Sequence, residues 1–382
     1  MTTQPHQATP TNIGNKLQNI LFPQPLKEGV TKYKKNIFKS FFALVALPVM
    51  VAFFAVSPFA AHAQDASRES AAYEVGSEDL IYATMGPSGS IAVIDLAART
   101  VIDSIDAGGN LHGGALTPDG NYLYTSNMSG EWISVVDTRT GKVVTKINLG
   151  AGSHHAAVRP DGRYVYEAAG RLKVIDSSTN EVATEIDTGE FAFYPLVDPN
   201  GRTLYVLNRG TTISVIDTQT NTVTNTIKMG AKSMMGHLAL SPDGKTLYAT
   251  SDTENVLSII DIESGQRRAR VAVGQRPHGV AVSSDGSRVF VSNREGNTIS
   301  VVDAKTATVI KTLPLNGRPV HLAIVSGGDY LLAGLMGRFQ EVKSDRTNAI
   351  AMIDPQSLEI IEEIPLWAQV HDILVTQTQT ER

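Results

Sequence analysis

The stretch VSNREGNTISVVD, Val291–Asp303, decides the fold. Two short runs rich in β-branched residues flank a polar segment containing Gly296, which reads as two strands and their turn. The second run ends on Asp, and that ending recurs as Val93-Ile94-Asp95, Val135-Val136-Asp137, Val174-Ile175-Asp176, Val215-Ile216-Asp217, Ile259-Ile260-Asp261, Val301-Val302-Asp303 and Met352-Ile353-Asp354. These Asp residues lie 42, 39, 41, 44, 42 and 51 positions apart. Between them a turn recurs as Pro118-Asp119-Gly120, Pro160-Asp161-Gly162, Pro199-Asn200-Gly201, Pro242-Asp243-Gly244, Ser284-Asp285-Gly286 and Ser326-Gly327-Gly328. Pro presets the first torsion of such a turn and Gly takes the positive φ at its end. Each unit then supplies four short strands, as in His278–Ser283, Arg288–Asn293, Thr298–Asp303 and Val309–Leu313. That is one propeller blade, and the predicted fold is an all-β, seven-bladed β-propeller. The chain enters on a second-type strand, Leu80–Thr84, and ends on a first-type strand, His371–Thr376. The C-terminal strand is therefore expected to close the N-terminal blade, leaving no free sheet edge at the seam.

Together with joins such as GQRPHGVAVSSDG, Gly274–Gly286, the repeat closely resembles the YVTN family of bacterial and archaeal β-propellers over essentially all of residues 64–382. The resemblance implies architecture. It does not imply one activity, because that family includes surface proteins and haem and quinone enzyme subunits.

Residues 1–39 carry six Lys against Glu28, and an uncharged run, Ser40–Ala61, follows. With Ala61-His62-Ala63 as a small-x-small site, residues 1–63 read as a cleavable signal peptide and residues 64–382 as the propeller, exported to a periplasm. An uncleaved anchor is the competing reading, since the run is long enough to span a bilayer; Pro48 and Pro58 and the Ala-x-Ala ending favour cleavage and no stable membrane insertion. Cleavage would leave 27 basic and 37 acidic residues, net −10, which argues against a nucleic-acid partner. The 382 residues contain no Cys, which excludes disulfides, thiolate-held metals and covalent haem attachment.

The nine His are the remaining candidates for metal or proton chemistry. His6 and His62 fall in the export segment. His112, His154 and His278 lie eight residues before their turn glycines, and His155, His237 and His321 lie seven before; His371 aligns with the second slot. All seven therefore sit where the outer strand of one blade passes to the inner strand of the next. One joint lacks a His and carries Phe193 and Tyr194. Repeat duplication could copy an ancestral His, but simple copying would not alternate between two slots. Neutral imidazole suits copper, zinc and iron, so a ring of them around the axis predicts a metal site.

The arrangement, though not the continuous sequence, resembles the copper-cluster propeller of nitrous oxide reductases and related multicopper enzymes. His154-His155 would match the adjacent His pair of that group, with the other five as ring members. The resemblance implies a copper-dependent oxidoreductase acting on a small molecule. Without Cys it has no electron-entry copper domain and needs an external electron carrier. Two alternatives remain open: a non-catalytic zinc- or copper-binding or delivery protein, and a non-covalent haem protein resembling the haem d-type propellers of denitrifiers, with one ring His as axial ligand. An interaction scaffold with an empty channel is the plain alternative.

Lys232, Arg276 and Arg318 lie in the same joints and would draw an anionic ligand to the mouth. Asp372 is placed to orient an imidazole, Tyr194 to face the pocket, and Met234 and Met235 either to offer a thioether or simply to pack. An insertion within Leu335–Asn348 lengthens one connection on the ring's face and is a candidate lid. Gly244-Lys245-Thr246 lacks the first Gly and the helix of a phosphate-binding loop and reads as strand-turn-strand.

Overall fold

The computed structural model describes residues 80–325, 327–337 and 348–375; the expected signal peptide and most of the 335–348 insertion lie outside these residues. The described chain forms 28 strands in seven four-stranded antiparallel sheets. Blade 1 orders Val370–Val375, Leu80–Met85, Ser90–Asp95 and Thr100–Asp106 from axis to rim, and blades 2 to 7 begin at Leu111, Ala156, Ala192, Leu238, Pro277 and Arg318. The seven-bladed propeller and its closure by the C-terminal strand are thus both as the period predicts. At the seam Ile81 pairs with Val375, Tyr82 with Leu374, Ala83 with Ile373 and Thr84 with Asp372.

The recurring residues that reveal the repeat are those that build its turns. Gly120, Gly162, Gly201, Gly244, Gly286 and Gly328 all have φ between 69° and 82°, where a side chain would be strained. Each strand-ending Asp turns its Oδ1 onto backbone N–H groups of the next turn, as Asp95 does to Ala98 (2.7 Å), Asp261 to Ser264 (2.8 Å) and Asp303 to Thr306 (2.7 Å). Gly244-Lys245-Thr246 is a turn leading into the strand Thr246–Ser251.

Within a blade the two middle strands are buried on both faces, whereas the rim strand alternates; Lys142–Asn148 is mostly exposed or half-buried, with Ile147 turned inward. Apolar clusters then join neighbouring blades face to face. Tyr166, Ala168 and Val174 of blade 3 pack on Ala192, Leu204 and Ile216 of blade 4. Ile350 and Met352 of blade 7 pack on Ala83, Ala92 and Ile94 of blade 1, with Val370 and Ile373 of the closing strand between them. Among the described residues no helix is long and apolar enough to cross a membrane.

Candidate functional site

The inner strands are irregular where the histidines fall. In blade 2 the register jumps from Leu111↔Asn127 to Gly114↔Thr125, so His112 and Gly113 stand against Ser126 alone. The same two-against-one bulge holds His278 in blade 6 and His321 in blade 7, and a smaller shift displaces His371 in blade 1. A bulge re-aims side chains. That accounts for the two alternating slots: either of two successive residues at the bulge can turn to the axis. His154, His155 and His237 precede the short inner strands Ala156–Val158 and Leu238–Leu240 and reach the same place.

Hydroxyls on the second strands fix these joints. Thr84 Oγ1 donates to the His112 carbonyl (2.6 Å), Thr250 Oγ1 to the His278 carbonyl (2.6 Å) and Ser292 Oγ to the Val320 carbonyl (2.7 Å). Gly113 has no side chain because the joint has no room for one; a Cβ there would stand 2.5 Å from His155 Cδ2.

The result is one continuous cluster of all seven imidazoles. Ring centroids are 4.6 Å apart for His112–His155, 4.8 Å for His155–His237, 4.4 Å for His237–His278 and 5.2 Å for His237–His321. His371 and His154 join through His112, at 5.1 and 5.4 Å. Tyr194 fills the place of the missing His, stacked on His237 at 4.3 Å with 23° between planes, and Phe193 lies 5.1 Å from His154. His112, His155, His237, His278 and His321 are buried, whereas His154 and His371 are half-buried at the mouth.

Burial, followed by the mutual repulsion of the imidazolium forms, holds His112, His155 and His237 well below the ordinary histidine pKa. Burial and then Arg294 do the same for His278. His154 is lowered to about 4 by burial and then by Arg209, and His371 is lowered by burial and then by Arg294. These six imidazoles are therefore neutral at pH 7. His112 Nδ1 donates to the His154 carbonyl (3.0 Å), which leaves Nε2 with its lone pair free. Both ring nitrogens of His155 and His237, and Nδ1 of His154 and His278, are buried without a hydrogen-bond partner. Leaving a buried polar atom unpaired costs on the order of 1–3 kcal/mol. Even so, among the described residues no three His, Asp or Glu side chains are set so that they could share one ion; the rings pack on one another edge to face or tilted.

Several expected roles change in the structure. Asp372 Oδ1 lies 2.7 Å from Nδ1 of His321, across the blade 7–blade 1 seam, and the same Nδ1 accepts the Ile373 N–H (3.3 Å). Lys232 is exposed, and its backbone N–H, not its ammonium, binds Glu254 (2.7 Å). Arg276 and Arg318 do stand at the mouth but are already paired, with Asp252 (3.3 Å) and with Glu295. Met234 is exposed, and its N–H and that of Met235 serve Asp252 (2.7 and 3.1 Å).

Three site residues escaped the sequence reading. Arg209 follows the second strand of blade 4, lies 4.8 Å above both Phe191 and Phe193, and brings a guanidinium nitrogen to 3.3 Å from His154 Nε2. Arg294 occupies the equivalent position in blade 6 and has a largely buried side chain, 19% exposed. Glu167 lies in a middle strand of blade 3, where equivalent positions carry Ala83, Thr125, Val206, Ala249, Val291 and Ala333. It is fully buried, accepts a hydrogen bond from Ser126 (2.5 Å), and burial pushes it up to about 7. Its signal was legible: a lone acid at a position of the repeat that otherwise carries Ala, Val or Thr.

A search of curated proteins gives no match. Among solved structures the chain is similar to Kuenenia stuttgartiensis Hydrazine Synthase, at 17% identity and a TM-score of 0.65, over 74% of this chain and 94% of that one. It is also similar to Dihydro-heme d1 dehydrogenase NirN in complex with DHE, at 16% identity and a TM-score of 0.61, over 80% and 76%. These likenesses show the shared propeller fold. The family model Cytochrome D1 heme domain matches residues 75–169, the stretch that supplies His112, His154 and His155. The model PQQ_2, described as Outer membrane protein assembly factor BamB, matches residues 129–334, blades 2 through 7. Since that match spans more than half of the chain, the protein belongs to the PQQ_2 family of β-propellers, described as Outer membrane protein assembly factor BamB.

Proposed function

We propose that the axial histidine cluster seats a non-covalently held haem of the d type, and that the protein is an exported oxidoreductase exchanging electrons with a separate carrier. The observation that carries this reading is the match of the cytochrome D1 haem-domain model to residues 75–169, which contribute three of the seven clustered imidazoles. The donor geometry agrees with it. An imidazole-only copper site needs three or more imidazoles converging on one ion, whereas haem iron needs one axial nitrogen. Ring centroids of 4.4–5.4 Å leave no space for a macrocycle among the buried imidazoles. A tetrapyrrole would therefore rest over the mouth, where half-buried His154 and His371 would offer the axial ligand. Bound there, the group would supply one-electron chemistry. The chain's own contribution is to keep the imidazoles of His154 and His371 neutral, hence able to ligate. With no Cys in the chain, covalent attachment is excluded and electrons must come from outside.

Copper is the second reading, favoured by the six orphaned imidazole nitrogens, which metal would satisfy. Purification from the native periplasm followed by absorption spectroscopy and metal analysis separates the two. A Soret band restored by haem and lost in His154→Ala and His371→Ala supports the first. Several coppers per chain without a tetrapyrrole support the second. A colourless protein that takes up neither after reconstitution sinks both.

A further inference from the structure

Among the described residues the charges at the mouth do not balance. Four guanidiniums, those of Arg209, Arg276, Arg294 and Arg318, face two carboxylates, those of Asp252 and Glu295. Asp252 is buried and already receives the backbone N–H groups of Met234 and Met235 as well as Arg276. Glu295 pairs with Arg318 and is shared with Arg294 only at 3.7 Å. Beneath them Asp372 is engaged by His321 and by the Ile373 N–H (2.8 Å). Arg209 makes no ion pair among the described residues, and its Nε is buried without a partner. Burial lowers the pKa of both Arg209 and Arg294, a sign that each cation has lost water without gaining full compensation. Both charges bear on the cluster, Arg209 on His154 and Arg294 on His278 and His371.

A desolvated guanidinium with unfilled donors binds oxyanions in a planar fork. The imidazoles of His154, His278 and His371 beside them are held neutral and add hydrogen-bonding groups without adding charge. We infer that Arg209 and Arg294 form an oxyanion-binding site at the mouth of the axial cluster, selecting ligands that carry a carboxylate or a small oxoanion group. The site stands on these charges and not on the haem reading. Its oxyanion can come from a free small anion or from the carboxylates of a macrocycle.

Titration calorimetry on the full chain, freed of metal and cofactor, tests this with two probes: sulfate and metal-free uroporphyrin. Binding of either is expected to weaken at least tenfold in Arg209→Gln and in Arg294→Gln. Glu295→Gln, which releases Arg294 from its shared carboxylate, is expected to tighten binding several-fold. Arg99→Gln, on the exposed rim, serves as the unaffected control. If Arg209→Gln fails to fold, Arg209→Lys, which keeps the charge but loses the fork, is expected to bind at an intermediate level. Sulfate binding alone identifies a free oxyanion, and porphyrin binding alone identifies macrocycle carboxylates; both support the site. Binding of neither, or binding that both Gln variants leave unchanged, overturns it. Sulfate binding together with failed haem reconstitution removes the haem reading and leaves this one standing.

Discussion

Acidification should unfold this protein in a window set by its buried imidazoles. His112, His155, His237 and His278 are at most 4% exposed and are held well below pH 6.5, whereas in the unfolded chain each titrates near that value. A histidine whose folded pKa is depressed is protonated first in the unfolded chain. Its contribution is therefore fully present above pH 6.5 and is lost as the pH falls below it. Each such group is worth about 1.4 kcal/mol per pH unit, so four of them remove about 5–6 kcal/mol per unit below pH 6.5. Glu167 acts with the opposite sign. Its folded pKa of about 7 exceeds the unfolded 4.5, so stability is gained as the pH falls through that interval, by about 1.4 kcal/mol per unit. The turn aspartates, such as Asp137 and Asp285, are depressed below 3.8 and act only at lower pH. Each unfolded imidazole is only half protonated at pH 6.5, so the net expectation is a loss of about 3 kcal/mol between pH 6.5 and 5.5, a large share of the whole stability of many domains, about 5–15 kcal/mol. Urea unfolding of the cofactor-free protein at pH 7.5, 6.5 and 5.5, followed by circular dichroism, measures it. His237→Phe, which keeps a ring to stack on Tyr194, should reduce the slope by about a quarter of the histidine contribution. A urea midpoint that stays constant from pH 7.5 to 5.5 would refute the reasoning, because it would mean that unfolding takes up no protons.

Gly113→Ala forces a methyl group to within 2.5 Å of His155 and should cost about 1–3 kcal/mol by overpacking while disturbing the cluster, seen as a lowered urea midpoint and weaker haem or metal uptake. Asp372→Asn removes the carboxylate that lies 2.7 Å from His321 Nδ1; nitrogen NMR of the metal-free protein should show the His321 ring-nitrogen resonances shifting, and an unchanged spectrum would show that Asp372 does not act on that imidazole. Truncation before Val370 removes the strand that pairs with Leu80–Met85 and buries Val370 and Ile373, so the shortened chain should lose cooperative unfolding and associate through its open edge, as read by light scattering.

The repeat was legible because the residues that make it visible act locally. A Gly at positive φ and an Asp that caps the following turn are required at each blade wherever it stands in the ring, so a count of Asp endings and turn glycines yields seven blades. The histidines were legible as a set for the same reason, since the joint recurs. What they touch was not. The bulges at Leu111/Gly114, Pro277/Val280 and Pro319/Leu322 are register shifts between paired strands, and these decide which of two adjacent positions faces the axis.

Sequence by itself therefore determined the architecture, the closure of the ring and the convergence of seven imidazoles on one face. Only the tertiary structure decided the pairing of Asp372 with His321 across the seam, the neutralisation of Arg276 and Arg318, and the placing of Arg209 and Arg294 over the cluster. The physical reason is the range of the interactions. Turn chemistry acts over two to five residues, whereas contacts at the mouth such as Arg318–Glu295, Arg276–Asp252 and Arg209–His154 join groups 23 to 55 positions apart that meet only when the propeller closes.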